Sequence, residues 1–180
     1  MPQSTTSRTT ILTVSALFIA LTAVCSWISV PVPGTAVPIN LATFAVILTG
    51  TILGSRQGAF TMLVFLLLGA AGLPVFHGFT GGLGILTGPT GGFLAGYVTL
   101  AAVTGLYRKF HRPSAVLFAL LCLAGETILY ALGVLWFMHL SGSGIAAAVA
   151  ACVLPFLPGD LLKCALAWII TGRLRRILNI

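Results

Sequence analysis

Two acidic residues, Glu126 and Asp160, and nine basic ones are all the charge in this chain of 180 residues. One base, Lys163, follows Asp160 by three positions inside an otherwise apolar stretch. On a helix that spacing puts both side chains on one face. Pro158 and Gly159 come just before them, which predicts Asp160 in a first helical turn, where the macrodipole favours a carboxylate. Ionisable residues at membrane depth usually face a cavity. Such a pair either holds a polar ligand or clamps helices together, and the shaping by Pro155, Pro158 and Gly159 favours the ligand.

Glu126 stands four residues before Tyr130, so the two share a helix face. Either they line the pocket of Lys163, or Glu126 partners a buried donor. Two acids and one base can orient a polar ligand but are a poor set for acid–base catalysis. No His, Ser or Cys is spaced to pair a nucleophile with a base, and His77 and His139 fall near the expected outer surface. The chain is expected not to be an enzyme. Cys25, Cys122, Cys152 and Cys164 stand singly among apolar residues without ligand spacing, so they read as packing residues, with no metal and no disulfide.

Ten glycines fall between positions 69 and 96. Glycine lets a backbone approach a ligand closely. A helix start near Thr87 and Gly88 offers free N–H groups to an anion or a carbonyl oxygen. No Lys-Ser or Lys-Thr follows these glycines, so this is not a Walker motif. Gly50 with Gly54, and Gly92 with Gly96, read as close helix packing of the small-xxx-small kind. Ala16 and Ala20 repeat that spacing on the first helix, for internal packing or for a partner subunit.

The elements that must position these residues follow from composition. The chain is 58% hydrophobic and 6% charged, whereas a soluble domain carries roughly a quarter charged residues. A membrane-spanning helix needs ~20 apolar residues. Spans are expected at 11–30, 39–54, 59–71, 89–107, 114–140 and 159–178, with a short inserted helix at 145–153. Pro31, Pro33 and Pro38 hold an extended loop, Ser55-Arg56-Gln57-Gly58 is a tight polar turn, and 108–113 is a basic turn. Arg8 before an apolar run resembles a signal peptide, but no A-x-A site follows, so a retained helix is expected.

Eight basic residues fall at the N-terminus, at Arg56, at 108–112 and at 173–176, all on one expected side. Positively charged loops mark the cytoplasmic side. The net charge of +7 therefore reports topology, not nucleic-acid binding. The expectation is an all-α polytopic membrane protein, one six-transmembrane-helix bundle over residues 1–180, with both termini cytoplasmic. The outer loops, with Phe76, His77 and Phe79, are expected to fold over a ligand as a lid, because irregular backbone at a membrane survives only over protein or a cavity.

Three segments carry a resemblance: Gly69-Ala-Ala-Gly-Leu-Pro-Val-Phe76, Gly88-Pro-Thr-Gly-Gly-Phe93 and Pro155-Phe-Leu-Pro-Gly-Asp160-Leu-Leu-Lys163. Together they are similar to the signature stretches of the BioY family, the biotin-specific S subunits of energy-coupling-factor (ECF) vitamin transporters. The resemblance spans nearly the whole chain. It implies an outward-facing biotin site beneath the loops between helices one and two and between helices three and four. It implies residence in the cell membrane among lipid, a transmembrane scaffold subunit and ATPase subunits as partners, and no cofactor of its own, with ATP used by those partners. A homo-oligomer is the alternative when the subunit works alone.

By position, Asp160 and Lys163 match the family's polar ligand contacts, and Ala16 and Ala20 match its scaffold-docking motif. Asn40, in Pro38-Ile-Asn-Leu-Ala42, stands in for a Gln expected in a Pro-x-x-x-Gln stretch, and Phe65 replaces a common Tyr. Biotin suits the residues: Asp160 to accept ureido N–H groups, Lys163 to meet the ureido carbonyl or the carboxylate, and Phe76, Phe79, Tyr130 and Trp136 as candidates for an apolar wall. The rival readings are an intramembrane enzyme on a lipid or prenyl substrate, which lacks a catalytic constellation, and a small channel, which lacks a polar stripe on several helices.

Overall fold

Apolar runs free of internal proline fold here as helices, and glycine or proline ends them. The computed structural model describes residues 8–31, 37–110 and 114–178. The helices are α1 (Arg8–Trp27), α2 (Ala42–Leu53), α3 (Ser55–Ala70), α4 (Leu83–Thr87), α5 (Gly91–Thr104), α6 (Ala115–Ser141), α7 (Ile145–Cys152) and α8 (Leu157–Leu178). Two short 3-10 turns, His77–Phe79 and Gly105–Lys109, complete the helical part. A minimal antiparallel pair, β1 (Ser29–Val30) and β2 (Ile39–Asn40), pinches the loop between α1 and α2. Pro33 of that loop, and Arg112 and Pro113 of the basic turn, lie outside the described residues.

The surface is apolar and parts of the interior are polar. On α1, Leu12, Leu17 and Val24 face outward while Ser15, Thr22 and Ser26 are buried. The buried hydroxyls of Thr22 and Ser26 donate to the carbonyls of Phe18 and Thr22, at 2.7 and 2.8 Å. Each therefore satisfies its polarity within its own helix. Leu120, Leu123 and Leu135 form the outer face of α6. Such a surface belongs in hydrocarbon.

Helix α2 is shorter than the span expected at 39–54, and α3 is longer than the one expected at 59–71. Among the described residues, Thr9–Trp27 and Ala115–Ser141 are each long and apolar enough to cross a membrane, and α7 with α8 passes only as a pair bent by 49°. Helices α2 and α3 are apolar but have 12 and 16 residues. Gly54 explains part of this. It takes φ 87°, a conformation open mainly to glycine, and turns the chain in one residue. Ser55–Gly58, expected as a turn, is instead the first turn of α3, with Gly58 N–H on the Gly54 carbonyl at 2.8 Å. Gly54 thus serves the turn and not the helix packing expected of it.

Helix α2 is the central post, buried along Ala42, Ala45, Val46, Ile47 and Leu48. It touches α1, α3, α5 and α8. Helices α5 and α6 approach closely because a Cβ on Gly92 would strike the Leu132 carbonyl at 2.6 Å, and one on Gly96 would lie 2.8 Å from Leu129. The hydroxyls of Thr51 and Thr171 meet at 3.0 Å, and Thr43 meets Lys163 at 3.1 Å. Both contacts advance by the same interval on α2 and α8, so these two helices run parallel.

One end of the bundle collects the basic residues. Arg108 donates from Nη1 to the carbonyls of Ile52 and Leu53, at 3.0 and 2.9 Å, capping α2. Arg175, in the last turn of α8, lies over the Tyr107 ring at 5.2 Å. The other end holds the loop from Gly72 to Thr90. Trp27 donates to the Pro74 carbonyl at 2.9 Å, and Trp136 to the Gly88 carbonyl at 2.9 Å.

Candidate functional site

Pro158 sits in the first turn of α8, where its missing N–H costs nothing. That geometry delivers Asp160 to the helix start and Lys163 to the same face. Both are buried, each at 5% exposure. Lys163 Nζ lies 2.7 Å from Asp160 Oδ1. Thr43, in the first turn of α2, accepts from Lys163 Nζ at 3.1 Å and sets its hydroxyl 3.4 Å from Asp160 Oδ1. Tyr130 of α6 donates its hydroxyl to Asp160 Oδ2. Three helices thus converge on one carboxylate.

The node forms part of the wall of a cavity with an empty volume of ≈ 580 Å³, counted out to its open side. Ser26, Pro38, Asn40, Thr90 and His77 add polarity or shape to the lining, and Phe76, Phe93, Leu94, Tyr97, Leu129 and Phe156 make it largely apolar. Among the described residues, Asp160 and Lys163 are the only formally charged ones in the lining. Partial burial lowers His77 below the ordinary imidazole value, so it lines the cavity as a neutral ring at pH 7. A mostly apolar molecule whose polar end carries both donors and an acceptor fits this arrangement.

Of the residues singled out from sequence, Asp160, Lys163, Tyr130, Asn40 and Phe76 line the cavity. Asn40 also accepts the Ala42 N–H at 3.0 Å, starting α2. Four others lie outside the lining. Phe79 is 65% exposed, its ring stacked on Trp27 with centroids 4.6 Å apart. Thr87 turns its hydroxyl back to the Leu83 carbonyl at 3.2 Å, the usual local bond of a helical threonine. Gly88 spends its carbonyl on Trp136, and that bond also keeps Trp136 off the wall. Glu126 is buried a turn away from Tyr130, receiving the Cys164 thiol at 3.6 Å. It sits behind the node because Cys164 is the next residue after Lys163.

Thr43, Tyr97, Leu94 and Phe156 were not anticipated. A threonine or an aromatic in an apolar helix carries no local mark of its role. Only the burial of α2 against α8, and of α5 against α6, brings them together. Among the described residues no group of three or more His, Cys, Asp or Glu side chains is arranged to hold a metal ion. Ala16 and Ala20 lie on the exposed side of α1.

Comparisons with known proteins give one answer. The BioY family model matches residues 1–180. The chain is 38% identical over 161 residues to the biotin transporter BioY of Thermotoga maritima, covering 89% of this chain and 93% of that one. It is 39% identical over 175 residues to the biotin transporter BioY of Rhodobacter capsulatus, covering 91% and 90%. Its fold matches the crystal structure of the S-component for biotin from an ECF-type ABC transporter with a TM-score of 0.88 and 25% identity, over 97% of this chain and 95% of that chain.

Proposed function

Because the chain belongs to the BioY family, we propose that it is the biotin-binding S subunit of an ECF-type transporter and takes up biotin across the cell membrane. It is a transport subunit and not an enzyme. The observation that carries this reading is the ion pair set in the wall of a largely apolar cavity. Biotin has the matching distribution: a ureido ring with two N–H donors and one carbonyl, an apolar thiophane, and an anionic tail.

The pair also argues for an orientation. A ligand carboxylate placed on Lys163 would lie within about 4 Å of the Asp160 carboxylate, a repulsion of ~4 kcal/mol at an effective dielectric of 20. A ureido ring meets no such conflict, with its N–H on Asp160 and its carbonyl on Lys163. The anionic tail then points away, toward the side lined by His77 and Thr90. In this reading Tyr130 orients Asp160, and Asn40, Phe76 and Tyr97 enclose the rings. Charge-assisted bonds contribute roughly 1.5–3 kcal/mol each, so a few of them with apolar burial reach nanomolar affinity, about −12 kcal/mol.

The same reading makes the chain a six-span bundle over residues 1–180 with both termini in the cytoplasm. The basic end formed by Arg56, Arg108, Lys109 and Arg175 supports this, as does the parallel run of α2 and α8. Ala16 and Ala20 dock on a membrane scaffold subunit, whose ATPase partners supply the energy. The test is uptake of labelled biotin by cells producing this chain with and without those partner subunits. Saturable uptake that requires this chain is expected. No uptake above background in either case, with the protein present in the membrane, would refute the proposal.

A further inference from the structure

We propose that Thr43 is the positioning residue that aims the Asp160–Lys163 pair and so selects a ligand presenting an acceptor beside a donor. The proposal rests on the reading of the cavity as a biotin site. It starts from the hydrogen-bond inventory of the node. An ammonium has three donors. Lys163 gives one to Asp160 Oδ1 at 2.7 Å and one to Thr43 Oγ1 at 3.1 Å. One N–H remains, and its direction is set by the other two. The bond to Asp160 alone does not set it, because both residues belong to α8 and move together. The bond to Thr43 comes from α2 and removes that freedom.

Asp160 is likewise tied from outside its own helix, by Tyr130 of α6 on Oδ2. The Thr43 hydroxyl stands 3.4 Å from Oδ1, so Oδ1 receives both Lys163 and Thr43, and the carboxylate's open lone pair is on Oδ2, beside the Tyr130 bond. The node therefore offers one aimed donor beside one open acceptor position. That is the complement of the carbonyl and one N–H of a cyclic urea.

Thr43 is separable from the packing of α2 on α8. Thr51 and Thr171 make a second hydroxyl contact between the same helices at 3.0 Å. It lies about two helical turns, ~12 Å, further along, and neither residue lines the cavity. Removing Thr43 Oγ1 thus leaves one polar clip between the helices, and removing Thr51 Oγ1 leaves the other.

The experiment compares wild type, Thr43→Val, Thr43→Ser and Thr51→Val in titrations with biotin and with its cyclic thiourea analogue, in which the ring carbonyl oxygen is replaced by sulfur, a weaker acceptor. Thr43→Val should weaken biotin binding roughly 10- to 100-fold, the range of one lost charge-assisted bond. Thr43→Ser should restore it to within about threefold, and Thr51→Val should bind biotin like wild type while unfolding at a lower temperature. The loss in Thr43→Val should be several-fold smaller for the thiourea analogue, whose sulfur is a weaker acceptor for the aimed N–H. Biotin binding unchanged in Thr43→Val would overturn the proposal. Equal losses for both ligands, or the same loss in Thr51→Val, would also overturn it by making the role structural. Folded wild-type protein that ignores biotin would refute the biotin reading itself and this inference with it.

Discussion

Lys163→Met should destabilise the protein strongly, and Asp160→Asn added to it should restore most of the loss. The carboxylate of Asp160 is buried, with Oδ1 held by Lys163 at 2.7 Å and Oδ2 by Tyr130. Methionine fills the lysine's volume but leaves the carboxylate without a counter-charge. Removing one partner of a buried pair costs about 3–5 kcal/mol, whereas replacing both partners is often neutral. For a chain of this size each kcal/mol moves the melting temperature by roughly 2–4 °C, so the single variant should melt on the order of 10 °C lower. Cys25, Cys122 and Cys152 are buried, so a dye that fluoresces on thiol reaction reports unfolding in detergent. The reasoning fails if Lys163→Met melts with wild type. It also fails if the double variant is as unstable as the sum of its singles.

Three other outcomes follow from the same geometry. Ala16→Leu with Ala20→Leu should abolish partner-dependent uptake while biotin binding to purified protein stays within about threefold, since both residues lie on the exposed side of α1; normal uptake would remove the docking role. Gly92→Leu should prevent folded expression, judged by size-exclusion profile, because its side chain would enter Trp136 and the Leu132 carbonyl; a normal profile would contradict that packing. Phe79→Ala should speed biotin release several-fold in a chase experiment, because an aromatic pair contributes ~0.5–1.5 kcal/mol and the Trp27 stack holds the loop over the cavity; an unchanged release rate would make that contact incidental.

Much of this was legible from sequence because a membrane restricts what charge may do. Asp160 and Lys163 stood out as rare charges beside Pro158 and Gly159, and the structure sets them together in the cavity wall. The basic clusters likewise gather at one end. Other features depended on contacts that no local pattern encodes. Ser55–Gly58 read as a turn because polar residues cluster there, yet one left-handed glycine performs the reversal. Phe79 and Phe76 looked equivalent on the loop, but alternation around Gly78 buries Phe76 and leaves Phe79 on Trp27. Glu126 and Tyr130 share a helix face, as the spacing required. Their roles part because α8 presents Asp160 to one and Cys164 to the other. Thr43 gave no signal, since its importance comes from a helix 120 positions away in sequence.

The central claim is that the ion pair in this cavity recognises biotin. Isothermal titration of purified protein with biotin, beside Asp160→Asn, tests it most directly. Tight saturable binding by wild type is expected, weakened at least about 100-fold in a folded Asp160→Asn, as the loss of roughly 3 kcal/mol of charge-assisted bonding requires. Binding that survives Asp160→Asn unchanged, or a folded wild type that takes up no heat from biotin, would contradict the account.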